Sequence, residues 1–118
     1  MNYRNGNIAL IGNTTLSLSE HKVVVWDSIG NLKWSSAASL LDQGWATDVL
    51  IDSTDNTYTL CQNFGATQTE IELTKYSLVG SVIYRQAFNI GIDATSGRME
   101  FLPNRDLVIT GTNGRLLV

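Results

Sequence analysis

Val23-Val24-Val25-Trp26-Asp27-Ser28-Ile29-Gly30-Asn31-Leu32-Lys33-Trp34 reads as two strands around a tight turn. Three valines and a tryptophan lead in, Asp, Ser, Gly and Asn supply the turn, and Leu32 to Trp34 leads out. The stretch returns fifty residues later as Leu73-Thr74-Lys75-Tyr76-Ser77-Leu78-Val79-Gly80-Ser81-Val82-Ile83-Tyr84. Trp26 falls on Tyr76, Gly30 on Gly80 and Trp34 on Tyr84 without a gap. Self-similarity at a fixed spacing marks a repeat protein, and here the repeat rather than a catalytic motif decides the fold.

The repeat extends outward from this hairpin. Asn7 to Asn13 is a short apolar run, matched by Thr57 to Asn63 and by Asp106 to Thr112, at offsets of 50 and 49 residues. Turn formers precede each run: Asn5-Gly6, Asp55-Asn56 and Asn104-Arg105. In the first unit a polar connection is expected over 14–20, then strands over 21–27 and 32–37. His21 stands at a polar strand start, and one helical turn could form around Ser39-Leu40-Leu41. The second unit carries strands at 46–52, 57–63, 70–76 and 82–88. The third shows 98–102, 106–111 and 115–118, with Asn113-Gly114 as a hairpin turn. Nowhere does an amphipathic helix of ten or more residues emerge, so the chain reads as an antiparallel all-β meander.

Four strands in a period of about 40–50 residues is the signature of a β-propeller blade. Such a sheet is apolar on both faces and must be covered by its neighbours, which explains runs such as Val23 to Trp26 that do not alternate. The aromatics at 26, 76, 34 and 84 are expected to fill the wedge between blades. The expected organisation is a partial blade over 1–38, a complete blade over 45–88 and a partial blade over 97–118. That is roughly two and a half blades, whereas a closed propeller has about 4–8. Either the chain is an excerpt of a longer propeller or several copies complete a ring.

Asp27-Ser28-Ile29-Gly30-Asn31-Leu32-Lys33-Trp34 resembles the strand-turn-strand end of bacterial SBBP-type and PQQ-like propeller repeats. Val49 to Tyr58 is similar to the first SBBP hairpin, and Ile109 to Leu116 to a Gly-Thr-containing PQQ-like hairpin. The sequence departs from those repeats at Gln62-Asn63 and at Ser77, where the first hairpin has Asp27. The resemblance implies a propeller and says little of function, because these motifs are mostly turn chemistry.

Composition narrows the function classes. The 118 residues carry a net charge of −3 and no Lys/Arg run, so nucleic acid is not an expected partner. There is no run of about 18 apolar residues and no apolar leader near Met1, so neither a membrane span nor a signal peptide is read in this chain; a longer parent could still be exported. His21 and Cys61 are each the sole residue of their kind. They lie in different units with no third partner, which favours a buried structural Cys61 over a nucleophile pair. Asp52, Asp55 and Asn56 lack the EF-hand spacing and read as turn chemistry. Gly111-Thr112-Asn113-Gly114 leads into no helix and is no phosphate cradle. Nothing in the sequence asks for a cofactor.

The expected ligand-binding residues are Trp45, Asp42 and Gln43, in the connection between the first two blades. An exposed Trp beside two polar side chains suits stacking on a sugar ring or a peptide side chain. The expected function is a non-catalytic binding or scaffolding module for protein or glycan, whose partners are copies of itself or the missing blades. The alternative is a structural part of a propeller enzyme whose catalytic residues lie elsewhere.

Overall fold

The computed structural model describes residues 1–14, 17–39, 44–64, 69–91, 96–111 and 114–117, with side chains over 1–13, 21–37, 45–62, 71–88 and 97–110. Eleven strands run in chain order: β1 (Asn2–Arg4), β2 (Asn7–Thr14), β3 (Ser17–Trp26), β4 (Leu32–Ser39), β5 (Gly44–Ile51), β6 (Thr57–Phe64), β7 (Thr69–Tyr76), β8 (Val82–Gly91), β9 (Ser96–Phe101), β10 (Leu107–Gly111) and β11 (Gly114–Leu117). They form antiparallel meanders β1-β2-β3-β4, β5-β6-β7-β8 and β9-β10-β11. No helix occurs among the described residues. The protein is thus all-β, built from antiparallel four-stranded sheets and a third sheet with three described strands.

The repeat is finer than the fifty-residue spacing suggests. Strands begin at Asn7, Leu32, Thr57, Val82 and Leu107, one every 25 residues. Strands end at Trp26, Ile51, Tyr76 and Phe101 at the same interval. The unit is a single β-hairpin.

Between these strands lie four copies of one turn. In each, the first residue's N–H donates to the fifth residue's carbonyl, and the fourth residue's N–H donates back to the first carbonyl: Asp27 with Asn31 and Gly30, Asp52 with Asn56 and Asp55, Ser77 with Ser81 and Gly80, Leu102 with Asp106 and Arg105. This is a β-turn followed by one left-handed residue, a common three-residue hairpin loop. The left-handed residues are Gly30 (φ 88°), Asp55 (66°), Gly80 (89°) and Arg105 (72°). Asn5 (54°) extends the series backwards by another 25 residues, but there it pairs with Gly6 (79°) in a two-residue turn.

A side-chain acceptor at the first turn position fastens three of the four. Asp27 Oδ1 accepts from Ile29 and Asn31 N–H at 3.0 and 2.9 Å, and Asp52 Oδ1 from Thr54 and Asn56 at 2.8 and 3.0 Å. Ser77 Oγ accepts from Val79 and Ser81 at 3.4 and 3.1 Å, so a hydroxyl replaces the carboxylate without changing the turn. Leu102 has no acceptor; Asn104 and Asp106 hydrogen-bond to each other instead.

The three sheets stack face to face. Ala9, Val23, Val25 and Trp34 of the first sheet pack against Val49, Ile51 and Tyr76 of the second. Tyr58, Leu60, Ile71 and Leu73, on the second sheet's other face, pack against Met99, Leu107 and Ile109 of the third. The middle sheet therefore buries both faces, which accounts for its non-alternating strands. At the first interface the Trp34 and Tyr76 rings lie 5.3 Å apart, tilted by 35°.

The sheets meet along β5, which lies against β2 chiefly, with β1 and β3, on one side and against β9 on the other. β5 is an edge strand, and an edge leaves unpaired N–H groups. Here, side chains cover several of them. Asn13 Oδ1 accepts from Ala46 N–H and Asn2 Oδ1 from Ile51 N–H, both at 3.0 Å. Asp48 Oδ2 repeats the arrangement one sheet on, accepting from Met99 N–H at 2.7 Å.

The first sheet carries a short first strand, Asn2–Arg4, paired with Asn7–Ala9. Several expectations need correction. β3 starts at Ser17, inside the expected polar connection, so His21 lies within a strand and is buried. Ser39 ends β4 rather than opening a helical turn; 40 and 41 lie outside the described residues. Gly114 pairs with Gly111 within the ladder and so belongs to a strand; 112 and 113 lie outside the described residues.

The offsets also exchange. Ile8 faces Trp26 as Thr57 faces Tyr76, an offset of 49, while Leu107 and Phe101 pair as Thr57 and Ile51 do, an offset of 50. A one-residue slip exchanges the two faces of a strand, so Ala9 and Ile11, not Ile8 and Leu10, join the first interface.

Candidate functional site

Trp45 is the second residue of β5, not part of a connection, and stands opposite Gln62. It is 54% exposed, near the strand end away from the Asp52–Asn56 turn. Asp42 and Gln43 lie outside the described residues, so of the expected trio only the tryptophan has a described position.

His21 and Cys61 are both buried at the interface between the first two sheets. Burial, with the Arg85 charge adding to it, pushes the His21 imidazole down to about 4. Burial, joined by Glu72, pushes the Cys61 thiol up to about 12 against the opposing Arg85. Both groups are neutral at pH 7, which is the reverse of an activated thiolate–imidazolium pair. Neither ring nitrogen of His21 has a hydrogen-bond partner among the described residues. Glu72, buried in the middle sheet, is paired with Arg85 Nε at 2.9 Å.

The acidic turn is occupied with its own backbone. Burial raises the pKa of Asp52, but hydrogen bonds from Thr54 and Asn56 outweigh it and leave a net lowering. Among the described residues no three His, Cys, Asp or Glu side chains converge as metal ligands.

A groove of about 670 Å³ runs between the Asp52 and Leu102 turns of the second and third sheets. Arg4, Lys75 and Arg105 line it with Asp52, Ser53 and Thr54; Tyr58, Phe101, Leu102 and Pro103 supply its apolar wall. Tyr58 and Phe101 meet edge to face, with centroids 5.3 Å apart. Lys75 Nζ sits 5.3 Å from the Tyr58 centroid and 5.9 Å from that of Tyr84. Hydrogen bonding with the Tyr58 hydroxyl raises its pKa, so the ammonium stays charged. No sequence motif marks this groove. Its residues come from four hairpins, and only the 25-residue register would have aligned them.

No helix among the described residues is long and apolar enough to cross a membrane. The chain matches no protein-family model and no curated protein.

Proposed function

We infer that the three sheets are blades of a β-propeller and that the chain is a non-catalytic binding or scaffolding module. On this reading, copies of the chain supply the sheets that cover its two outer faces. The carrying observation is that one interface is used twice. Trp34 and Tyr84 occupy equivalent positions; Trp34 packs towards the second sheet and Tyr84 towards the third. Contact between neighbouring sheets centred on β5, the second sheet's first strand, supports the same reading, because blades converge at a propeller's axis.

Trp26 marks the face left over. Its equivalent, Tyr76, is 0% exposed beneath Trp34 of the preceding sheet. Trp26 is half-buried on the far face of the first sheet, beside exposed Leu10. A preceding sheet supplied by another copy would cover Trp26 as Trp34 covers Tyr76. Such a head-to-tail contact closes into a ring when its rotation divides the circle.

Light scattering after gel filtration tests this. Self-assembly predicts one discrete multiple of the 13.0 kDa chain mass, and a return to monomer in Trp26→Arg. A monomer at every concentration, or a multimer indifferent to Trp26→Arg, would overturn it.

A further inference from the structure

The repeat supplies its own control for the groove. An equivalent gap lies one interface earlier, between the Asn5-Gly6 turn and the Asp52 turn. There Asn5 Nδ2 donates across the gap to Asp52 O at 3.1 Å and to Asp55 Oδ1 at 3.0 Å, bridging the two turns. The cross-strand pair beneath is Ala9 and Val25, both buried and apolar.

At the next interface the same positions carry different chemistry. Tyr58 and Lys75 replace the Ala9–Val25 pair, and Arg105 stands where the earlier gap has Asp55. The gap is open, and its lining holds three cations against one carboxylate in a chain of net charge −3. The carboxylate, Asp52, already accepts from Thr54 and Asn56. Arg105 holds a left-handed φ of 72°, a position filled by glycine in two of the other three turns. Strain accepted by a non-glycine residue beside an open groove points to its side chain rather than to the turn. Packing does not ask for a guanidinium there, since Arg105 is exposed and has no ion pair among the described residues.

We propose that this groove binds an acidic saccharide, with Arg105, Lys75 and Arg4 receiving its carboxylate or sulfate. Three cations lining one groove favour an anion, although Arg4 Nη1 also donates to Ile51 O at 3.3 Å. The Ser53 and Thr54 hydroxyls beside the apolar Leu102–Pro103 wall suit a ring with polar edges and an apolar face. The volume is of ligand-site size, within about 300–1,000 Å³. The groove lies within one chain, so the proposal does not depend on ring closure. A chain that assembles but ignores acidic sugars loses only this proposal, and one that binds them as a monomer loses only the ring.

Isothermal titration of the whole chain with tri-galacturonate, sialyl-lactose and sulfated lactose, each beside its uncharged parent sugar, tests it. The expected result is saturable binding of at least one acidic member and none of its parent, weakening as salt rises. Arg105→Gly should weaken that binding at least tenfold, and glycine suits the left-handed position, so lost folding cannot explain the loss. Lys75→Val, which restores the residue of the first interface, should weaken it as well. No binding by any acidic sugar, equal binding of the neutral parents, or affinity unchanged in Arg105→Gly would each overturn the assignment.

Discussion

The first and second sheets are copies of one meander with different surroundings. The second is covered on both faces, so its equivalents of exposed residues are core: Tyr76 is buried where Trp26 is half-exposed. Among the described residues the first is covered on one face only, and it buries His21 where the second sheet has Ile71. Position in the stack, not sequence similarity, sets how much each residue contributes.

The largest expected contrast is between the two aromatics. In the monomer, Tyr76→Ala should lose about 3–5 kcal/mol, the usual cost of emptying a buried aromatic site. Trp26→Ala should lose about 1 kcal/mol or less, because its far face is open. Urea unfolding of both variants checks this. Equal costs would mean that something already covers Trp26.

Next comes the buried histidine of the first interface. His21 titrates near 6.5 when unfolded and at about 4 when folded. Between those values the unfolded state binds the proton and the folded state does not, so stability falls as pH drops from 6.5 towards 4 and levels off below. The loss should approach about 3 kcal/mol. His21→Ile, which installs the second sheet's residue, should remove that part of the slope while leaving other acid-linked losses. A slope unchanged in His21→Ile would place the titrating group elsewhere.

The smallest contrast separates two glycines with the same backbone. Gly30 and Gly80 have φ of 88° and 89°, so either alanine is strained by about 1–2 kcal/mol. A Cβ on Gly30 meets open space, whereas one on Gly80 comes within 2.8 Å of the Trp34 ring. Gly80→Ala should therefore cost about 1–3 kcal/mol more than Gly30→Ala. Matching midpoints would show that Trp34 gives way, and that the first interface is looser than its ring contact implies.

Turn chemistry carried most of the legible fold. Asp27 to Asn31 and Ser77 to Ser81 were readable as one turn because each has a glycine at the left-handed position. The turns at Asp52 and Leu102 share that geometry with Asp55 and Arg105 in the same place, so their membership in a 25-residue series was hidden. Backbone hydrogen bonds define the turn, and several residue types can satisfy them. Trp45 was legible as an exposed aromatic, but not as a strand residue, since one Trp after a glycine fits either state. The groove was not legible, because its cations lie on separate hairpins and acquire meaning only when turns are superimposed.

By itself the sequence determined an all-β repeat, its hairpins and the need for cover on both faces of a sheet. Those follow from local turn residues and strand propensities, which act within about five residues of chain. The tertiary structure decided which face of β2 is buried, which aromatic is core and which gap between turns stays open. Each depends on what a neighbouring sheet presents. A period-two strand offers two faces of comparable apolarity, and only the stack chooses between them.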